Sequence, residues 1–353
     1  MGTNASGYTR KRKSSSRFEL KENSLSQVSP ADKRRFPRER YSWGGGELGR
    51  SRVKHKQTTL VPAKTVRRLK LIVNADDFGI SEEVNESVVR AFKHGVLTSC
   101  SLMVTGAAFD QAVKLARDNP KLNVGIHVVT VMGQSVLSKS EIPTLVDEEK
   151  NFSNNPTAAG FKYYFSKRAR VELRKELAAQ FEKFKSTGLP LSHIDGHLHM
   201  HVHPVIFNAA LELGAAYGAK RMRVPQEERH LAFSFDGNQA FKKTVHTLLF
   251  GGLALYMKKK LKRRGFTFAE RVYGNLQSDR VNEQYLLYIL DNLRAEFNEF
   301  YCHPAVYESD RVLNDEERQH LREFQALVSE IVIHRLTDLG IELTNYFDLE
   351  AKR

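Results

Sequence analysis

The stretch Leu69-Lys70-Leu71-Ile72-Val73-Asn74-Ala75-Asp76-Asp77-Phe78-Gly79 runs from a short apolar segment into two consecutive carboxylates. Its first six residues are typical of a buried β-strand. A helical pattern follows, with Ser81 as a suitable N-cap and Gly95 at its end. The stretch therefore predicts a strand, a polar turn and a helix, with Asp76 and Asp77 where the strand ends.

The same alternation of strands and helices recurs along the chain. Further strands are predicted at residues 101–104, 124–129, 192–195, 221–224 and 299–302, and helices at 109–116, 169–185 and 205–217. Strands separated by helices imply a parallel sheet with right-handed crossovers. About seven such units predict an α/β fold, a (β/α) barrel with its functional residues at the carboxyl ends of the strands. An open sheet would place them at the same ends.

Charge is unevenly distributed along the 353-residue chain. Residues 1–70 contain 19 Lys and Arg against 5 Asp and Glu, which accounts for the whole formal charge of +14. Residues 1–66 are also rich in Ser and Gly and bury too little apolar surface to offset their ordering entropy. We predict a disordered basic tail over 1–66 and a single β/α-barrel domain over 67–353. The non-enzymatic alternative is a nucleic-acid-binding protein that uses this tail, although nucleic acid is not the predicted partner.

The cysteine count and the apolar runs limit the class of protein. Two cysteines, Cys100 and Cys302, are too few for a disulfide framework, so a reducing compartment is expected. No apolar run reaches the roughly 18 residues of a membrane-spanning helix, and the N-terminus lacks a secretory signal. A cytoplasmic protein is predicted, with a homodimer as the default oligomer.

An apolar and basic insertion is predicted near residues 236–268. Residues 248–257 are almost uniformly apolar, and lysines and arginines follow up to Arg264. One interpretation is peripheral contact of 248–264 with the inner face of a membrane, where each Lys or Arg adds about 1 kcal/mol of attraction to anionic lipid. The other is a core-packed helix whose basic end complements its own dipole. The sequence does not decide between them.

Histidines accumulate at the predicted strand ends. His127 follows Gly125-Ile126, and Cys302-His303-Pro304 closes a late strand. The strongest signal is the tract His193-Ile194-Asp195-Gly196-His197-Leu198-His199-Met200-His201-Val202-His203. Where the tract is extended, its polar residues share one side, because side chains alternate along a strand. The same alternation argues against a Cys302/His303 nucleophile, because these neighbours face opposite sides.

The adjacent carboxylates of Asp76 and Asp77 repel each other and therefore predict a compensating cation, most simply a metal ion. The alternative is a turn with two solvated acids. A carboxylate and two imidazoles leave coordination positions open, which is typical of a catalytic metal. Such donors suit Zn, Co or Fe better than Mg or Mn, and the identity of the ion stays open.

Four motifs together resemble the YdjC-like carbohydrate deacetylases over residues 68–350: Asn74-Ala75-Asp76-Asp77-Phe78-Gly79, Gly125-Ile126-His127, the histidine tract and Cys302-His303-Pro304-Ala305. The resemblance implies a seven-unit barrel of the glycoside hydrolase/deacetylase kind. It also implies a hydrolase that uses a divalent metal ion and removes an N-acetyl group from an amino sugar.

The resemblance implies individual roles as well. By position, Asp77, His127 and His197 would be ligands of one divalent ion, Mg or Zn, and Asp76 the catalytic base. His303 is the predicted acid that protonates the sugar nitrogen. The residues predicted to bind the substrate are His193, Asp195, His199, His201 and Arg223.

Shorter motifs resemble the hopanoid-biosynthesis-associated branch of the family: Gly188-Leu189-Pro190-Leu191-Ser192-His193, Arg223-Val224-Pro225, Gly265-Phe266-Thr267 and Tyr273-Gly274. They imply an N-acetylglucosaminyl-hopanoid lipid as substrate, which would match membrane contact through 248–264. Asp195 departs from this branch, where Asn is usual, and resembles members that act on soluble sugars, so an N-acetylated oligosaccharide stays open.

Two other enzymes on the same barrel remain as alternatives. A metal-dependent phosphoesterase would use similar ligands. A glycoside hydrolase would need two carboxylates that flank the sugar bond, whereas the acids here are consecutive and accompanied by histidines.

Overall fold

A computed structural model describes residues 68–235, 240–277 and 280–349, so the predicted tail over 1–66 lies outside the described residues. The strands are β1 (Lys70–Phe78), β2 (Ser99–Leu102), β3 (Asn123–Val128), β4 (Ile194–Gly196), β5 (Arg271–Tyr273), β6 (Phe297–Cys302) and β7 (Glu342–Thr344). The helices are α1 (Glu82–His94), α2 (Phe109–Asp118), α3 (Pro156–Phe165), α4 (Lys167–Ser186), α5 (Pro204–Ala216), α6 (Arg229–Phe235), α7 (Ala240–Arg263), α8 (Glu283–Asn292), α9 (Asp315–Leu327) and α10 (Glu330–Asp338).

All of these strands pair in parallel. Six lie side by side in the order β4-β3-β2-β1-β6-β5, and β7 pairs with the first residues of β1. β1 is central, because β6 accompanies it from Lys70 to Ala75 and β2 pairs with it from Asn74 onward. The carboxyl ends of β1, β3, β4 and β6 therefore meet at one edge of the sheet.

The α/β fold with a parallel sheet is as predicted, but the described residues form a half-barrel of six strands and do not show seven regular units. Residues 221–224, predicted as a strand, make only single bridges, between Ile194 and Met222 and between Arg221 and Thr267. Arg223 N donates to Ile194 O at 2.9 Å, so this segment extends the sheet beyond β4 irregularly.

Local signals position the elements that carry the site. Ser81 Oγ accepts from Val84 N at 3.3 Å, and α1 ends before Gly95, as the sequence predicts. Behind β3, the Gln180 side chain of α4 binds both polar groups of the Val129 backbone, at 2.9 and 2.7 Å. Since Val129 directly follows β3, this pair of hydrogen bonds fixes the end of the strand that carries His127.

The helix α7 occupies most of the predicted apolar and basic insertion, and its side chains are described from residue 250 onward. Ala254, Met257 and Leu261 are buried in the main core and share one helical face. Lys260 Nζ donates to Asn208 Oδ1 at 2.8 Å. These contacts favour the core-packed interpretation for this part of the helix. In the part of the chain that the structure describes, no helix is long and apolar enough to cross a bilayer.

Candidate metal centre

Three side chains meet at the carboxyl ends of β1, β3 and β4. Asp77 Oδ1 lies 2.9 Å from His197 Nδ1 and 3.2 Å from His127 Nε2. The atoms that these residues could offer as ligands all lie within 4.8 Å of one another. A carboxylate oxygen and two imidazole nitrogens at this spacing can share one ion. The structure thus brings together the three residues predicted as ligands.

His127 is arranged as metal-binding histidines are. Its ring is buried, and Nδ1 lies 2.8 Å from Asp195 Oδ1. Despite the approach of Asp77, Nε2 has no hydrogen-bond partner among the described residues. Buried polar atoms are normally satisfied, and a ring nitrogen opposite a carboxylate is the usual donor to a metal. The residues present therefore fit a divalent ion.

The surrounding charges favour a cation at this point. Burial lowers the pKa of His127, but Asp195, Asp77 and Asp76 outweigh burial and raise that pKa to about 10. Burial raises the pKa of Asp77, yet His197 and His127 hold it well below its ordinary value. A bound ion would replace the proton on His127, because the same carboxylates attract either cation.

The backbone around these side chains is strained. Asp77, Leu198 and His199 have φ values of 62°, 50° and 55°, in the left-handed region that costs an L-residue about 1–2 kcal/mol. Such strain is typical of functional sites, where the surrounding structure holds it in place. Leu198 and His199 directly follow His197, so the strain lies beside a candidate ligand.

The histidine tract is extended only in its first part. β4 ends at Gly196, and residues His197–Val202 form a 3-10 helix with an internal kink. The expected alternation therefore does not continue through the tract, and its histidines do not share one side. His201 is buried with Nε2 3.3 Å from Arg223 O, whereas the His203 ring lies edge-on to Tyr163, 6.4 Å between ring centroids.

Asp76 is clamped by an arginine. Arg223 Nη1 donates to Asp76 Oδ2 at 2.6 Å and Nη2 donates to Oδ1 at 2.7 Å, while Asn74 Nδ2 donates to Oδ1 at 2.8 Å. One Asp76 oxygen also lies within 4.8 Å of a ring nitrogen of His127. The predicted base is therefore beside the candidate metal centre, with its carboxylate held in a fixed orientation.

Arg223 also contacts two further carboxylates. Its Nε donates to Glu299 Oε1 at 2.7 Å, and its Nη1 lies 3.0 Å from Asp195 Oδ2. The guanidinium has no exposed surface. Sequence reasoning missed Glu299 and Asn74; the available signal was a charged or amide side chain inside a strand otherwise expected to be buried.

Four of the five residues predicted to bind substrate have no exposed surface: His193, Asp195, His201 and Arg223. The His193 ring stacks on Tyr346 at 3.8 Å between centroids, and its Nε2 lies 3.2 Å from Ser101 Oγ. Ser101 Oγ also donates to Asp195 Oδ2 at 2.5 Å. These side chains form a buried layer that supports the candidate ligands.

His199 and His303 lie nearer the surface of the site. His199 is 8% exposed, and its Nε2 lies 2.9 Å from Tyr301 OH. His303 follows β6, whose Cys302 pairs with Ala75 of β1, so His303 is at the same level as Asp76. The backbone N–H of His303 donates to Glu323 Oε2 at 2.6 Å, which fixes this turn.

A parallel sheet with these acids and histidines at its carboxyl edge defines the chain as an α/β protein with a candidate metal centre. A family model described as YdjC-like protein matches residues 70–338, and the chain belongs to the YdjC-like protein family.

Two curated relatives agree with this assignment. A carbohydrate deacetylase of Clostridium beijerinckii is 32% identical over 285 residues, which cover 80% of this chain and 100% of that protein. A carbohydrate deacetylase of Brevibacillus brevis is 42% identical over 149 residues, 42% of this chain and 57% of that protein. These relatives confirm the predicted enzyme class, a hydrolase of the carbohydrate deacetylase type.

A solved structure shares the fold. The crystal structure of a protein provisionally described as a cellobiose-phosphate cleavage protein, from Enterococcus faecalis V583, superimposes with a TM-score of 0.59 at 24% identity. The match covers 80% of this chain and 100% of that one. It supports the α/β architecture alone.

Proposed function

We propose that this chain is a metal-dependent hydrolase that removes the acetyl group from an N-acetylated amino sugar. The observation that carries the proposal is the buried His127 Nε2, which has no hydrogen-bond partner among the described residues and faces the Asp77 oxygen that also contacts His197. The carbohydrate deacetylases among its relatives support the same reaction.

The reaction consumes one water, breaks the amide C–N bond and releases acetate and a free amine. A divalent ion held by Asp77, His127 and His197 would supply Lewis-acid chemistry, lowering the pKa of water and polarising the acetyl carbonyl. Asp76 takes the proton of the attacking water. Arg223 and Asn74 hold the carboxylate of Asp76 in one orientation beside the candidate ligand His127, where a general base is needed.

His303 gives a proton to the departing sugar nitrogen. It approaches from β6, the strand beside the one that carries Asp76, so acid and base would act from neighbouring strands. The hydrogen bond from His303 N to Glu323 fixes the turn that positions the imidazole. General acids of this kind contribute about 10²–10⁴-fold to the rate.

The substrates predicted from the sequence, an N-acetylglucosaminyl-hopanoid lipid and an N-acetylated oligosaccharide, share the amino sugar that this chemistry needs. Peripheral membrane contact through 248–264 would suit the lipid, whereas the carboxylate of Asp195 is the feature shared with members that act on soluble sugars. Incubation of the enzyme with each compound, followed by mass spectrometry for the loss of one acetyl group, distinguishes them.

The central test is metal content measured together with acetate release. Asp77→Ala and His197→Ala should each lose the bound ion and the activity while the circular dichroism spectrum is retained. His303→Ala should keep the ion and lose about 10²–10⁴-fold in kcat. Asp315→Ala, at a side chain that is 99% exposed, is the matched control and should behave as wild type. Acetate release that survives complete chelation would contradict the mechanism.

A further inference from the structure

Tyr346 lies in the interior of the half-barrel, although it belongs to the segment that follows β7. It begins the 3-10 helix Tyr346–Asp348, which the side chain of Asn345 caps. Tyr346 has no exposed surface and packs against Ile72 of β1. It follows residues 70–338, which the family model matches, so its role has to be inferred from its contacts.

The hydroxyl group of Tyr346 donates a hydrogen bond to Oε2 of Glu299, a side chain without exposed surface. The other oxygen, Glu299 Oε1, accepts from Arg223 Nε at 2.7 Å. Burial raises the pKa of Glu299, whereas Arg223 and the hydrogen bond from Tyr346 lower it. The hydroxyl group therefore favours the ionised form of Glu299 and holds its carboxylate in the position that pairs with Arg223.

Arg223 connects this carboxylate with the candidate base. Its Nη1 and Nη2 donate to the two oxygens of Asp76, at 2.6 and 2.7 Å. A guanidinium group is planar and rigid, so a hydrogen bond at Nε determines the directions of Nη1 and Nη2. Nη1 also lies 3.0 Å from Asp195 Oδ2, so a guanidinium released by Glu299 would have another carboxylate to turn toward. Glu299 thus selects the orientation in which Arg223 holds Asp76.

We propose that Tyr346 is a positioning residue, whose hydroxyl group sets the orientation of the Asp76 carboxylate through Glu299 and Arg223. The inference rests on the proposed function, in which Asp76 takes the proton of the attacking water. The orientation of a base matters when the proton moves, whereas the substrate binds elsewhere in the site. Loss of the hydroxyl group should therefore lower kcat and leave KM almost unchanged.

The kinetic test uses Tyr346→Phe, which removes the hydroxyl group and keeps the ring that stacks on His193. We expect kcat for acetate release from methyl N-acetylglucosaminide to fall by about 10–100-fold, with KM within about twofold of wild type. Tyr285→Phe is the matched control, since Tyr285 is also buried and its hydroxyl group donates to Glu227 Oε1 at 2.7 Å. Equal changes of kcat in the two variants would overturn the inference.

A double-mutant cycle tests the route through Glu299. Glu299→Gln retains the shape of the side chain and removes its charge, so it should lower kcat at least as much as Tyr346→Phe does. If the hydroxyl group acts through Glu299, adding Tyr346→Phe to Glu299→Gln should lower kcat by less than about twofold further. Losses that multiply in the double variant would mean two independent effects and would also overturn the inference.

Metal binding separates this role from a role in holding the ion. The candidate ligands Asp77, His127 and His197 keep their contacts with one another in Tyr346→Phe. The dissociation constant of the metal, measured by competition with a chromophoric chelator, should therefore change by less than about twofold. A loss of activity matched by a loss of bound metal would mean that the hydroxyl group acts on the ligands, and the inference would be wrong.

A spectroscopic measurement tests the inference without deacetylation. The Nε–H group of Arg223 can be followed by NMR in protein labelled at its arginine side chains, and its signal is assigned by its loss in Arg223→Lys. Its hydrogen exchange with solvent should be at least about fivefold faster in Tyr346→Phe than in wild type or in Tyr285→Phe, because Glu299 is held less firmly. Unchanged exchange would overturn the inference. Faster exchange supports it even if wild type deacetylates no N-acetylated sugar, a result that would contradict only the proposed function.

Discussion

Asp195 Oδ1 lies 2.8 Å from His127 Nδ1, the ring nitrogen opposite the one that faces Asp77. A carboxylate in this position orients the imidazole and determines which nitrogen carries the proton, leaving Nε2 as the donor to an ion. Asp195 thus acts on the candidate metal centre through His127, although it contributes no ligand to the Asp77 group itself.

Asp195→Asn should weaken metal binding by about 10–100-fold, because the amide keeps a hydrogen-bond acceptor but removes the charge that raises the basicity of His127. Competition with a chromophoric chelator measures the dissociation constant. Asp315→Asn, at an exposed acid remote in sequence from the site, is the control. An unchanged dissociation constant of the metal in Asp195→Asn would show that the carboxylate of Asp195 does not affect metal binding by His127.

Asp195 should also affect acid stability of the metal-free protein. Burial raises its pKa, but Arg223 and His127 hold that pKa well below the ordinary value. In the unfolded chain, where an Asp has a pKa of about 3.9, Asp195 binds its proton more readily. Its contribution to the free energy of unfolding is therefore complete above that pH and is lost as the pH falls toward the folded-state pKa. Urea denaturation with chelator present, from about pH 6 to pH 3, should show a shallower loss for Asp195→Asn than for wild type. An equal loss of the free energy of unfolding with falling pH in wild type and in Asp195→Asn would contradict this expectation.

Arg223→Met should lower the free energy of unfolding by about 3–5 kcal/mol, because it leaves Asp76, Asp195 and Glu299 buried without their cation. Arg335→Met breaks an exposed pair with Asp291, 2.7 Å apart, and should cost about 0–1 kcal/mol. Chemical denaturation of both variants provides the comparison. An equally small loss of the free energy of unfolding in both variants would mean that the buried carboxylates do not depend on Arg223.

Gly125→Ala should disturb the candidate metal centre through the strand that carries His127. A Cβ at Gly125 would lie 2.3 Å from Cε1 of His193, whose ring is stacked on Tyr346. β3 would have to shift, so we expect a loss of about 1–3 kcal/mol in stability and weaker metal binding through His127. Gly251→Ala, in α7 with open space around it, should be neutral or stabilising by up to about 1 kcal/mol. A fully stable Gly125→Ala variant with normal metal binding would refute the close contact.

Much of the fold followed from local patterns. The apolar run before Asp76 forms most of β1. The helix α1 begins after Ser81 and ends before Gly95, as expected. Shorter or irregular elements were harder to predict, because β5 and β7 have only three residues each and residues 221–224 pair by single bridges. Such segments depend on neighbours that are distant in sequence, so their own residues carry little periodic signal.

One part of the candidate site could also be expected from the sequence, and another part could not. Asp77, His127 and His197 could be expected near one another, because each follows or ends a strand of a parallel sheet and the carboxyl ends of such strands share an edge. The kink after His197 could not be expected, since an alternating tract predicts continued extension. It arises where Leu198 and His199 adopt positive φ, a local cost that only the surrounding packing can hold.

By itself the sequence indicated that Asp77, His127 and His197 reach the functional edge, since strand periodicity and the order of elements are local properties. Only the tertiary structure decided that Arg223 would be enclosed by Asp76, Asp195 and Glu299 and would support the candidate base. Charges far apart in the chain can interact in this way only after the sheet has excluded water between them, because burial in a low dielectric medium makes each carboxylate require a specific partner.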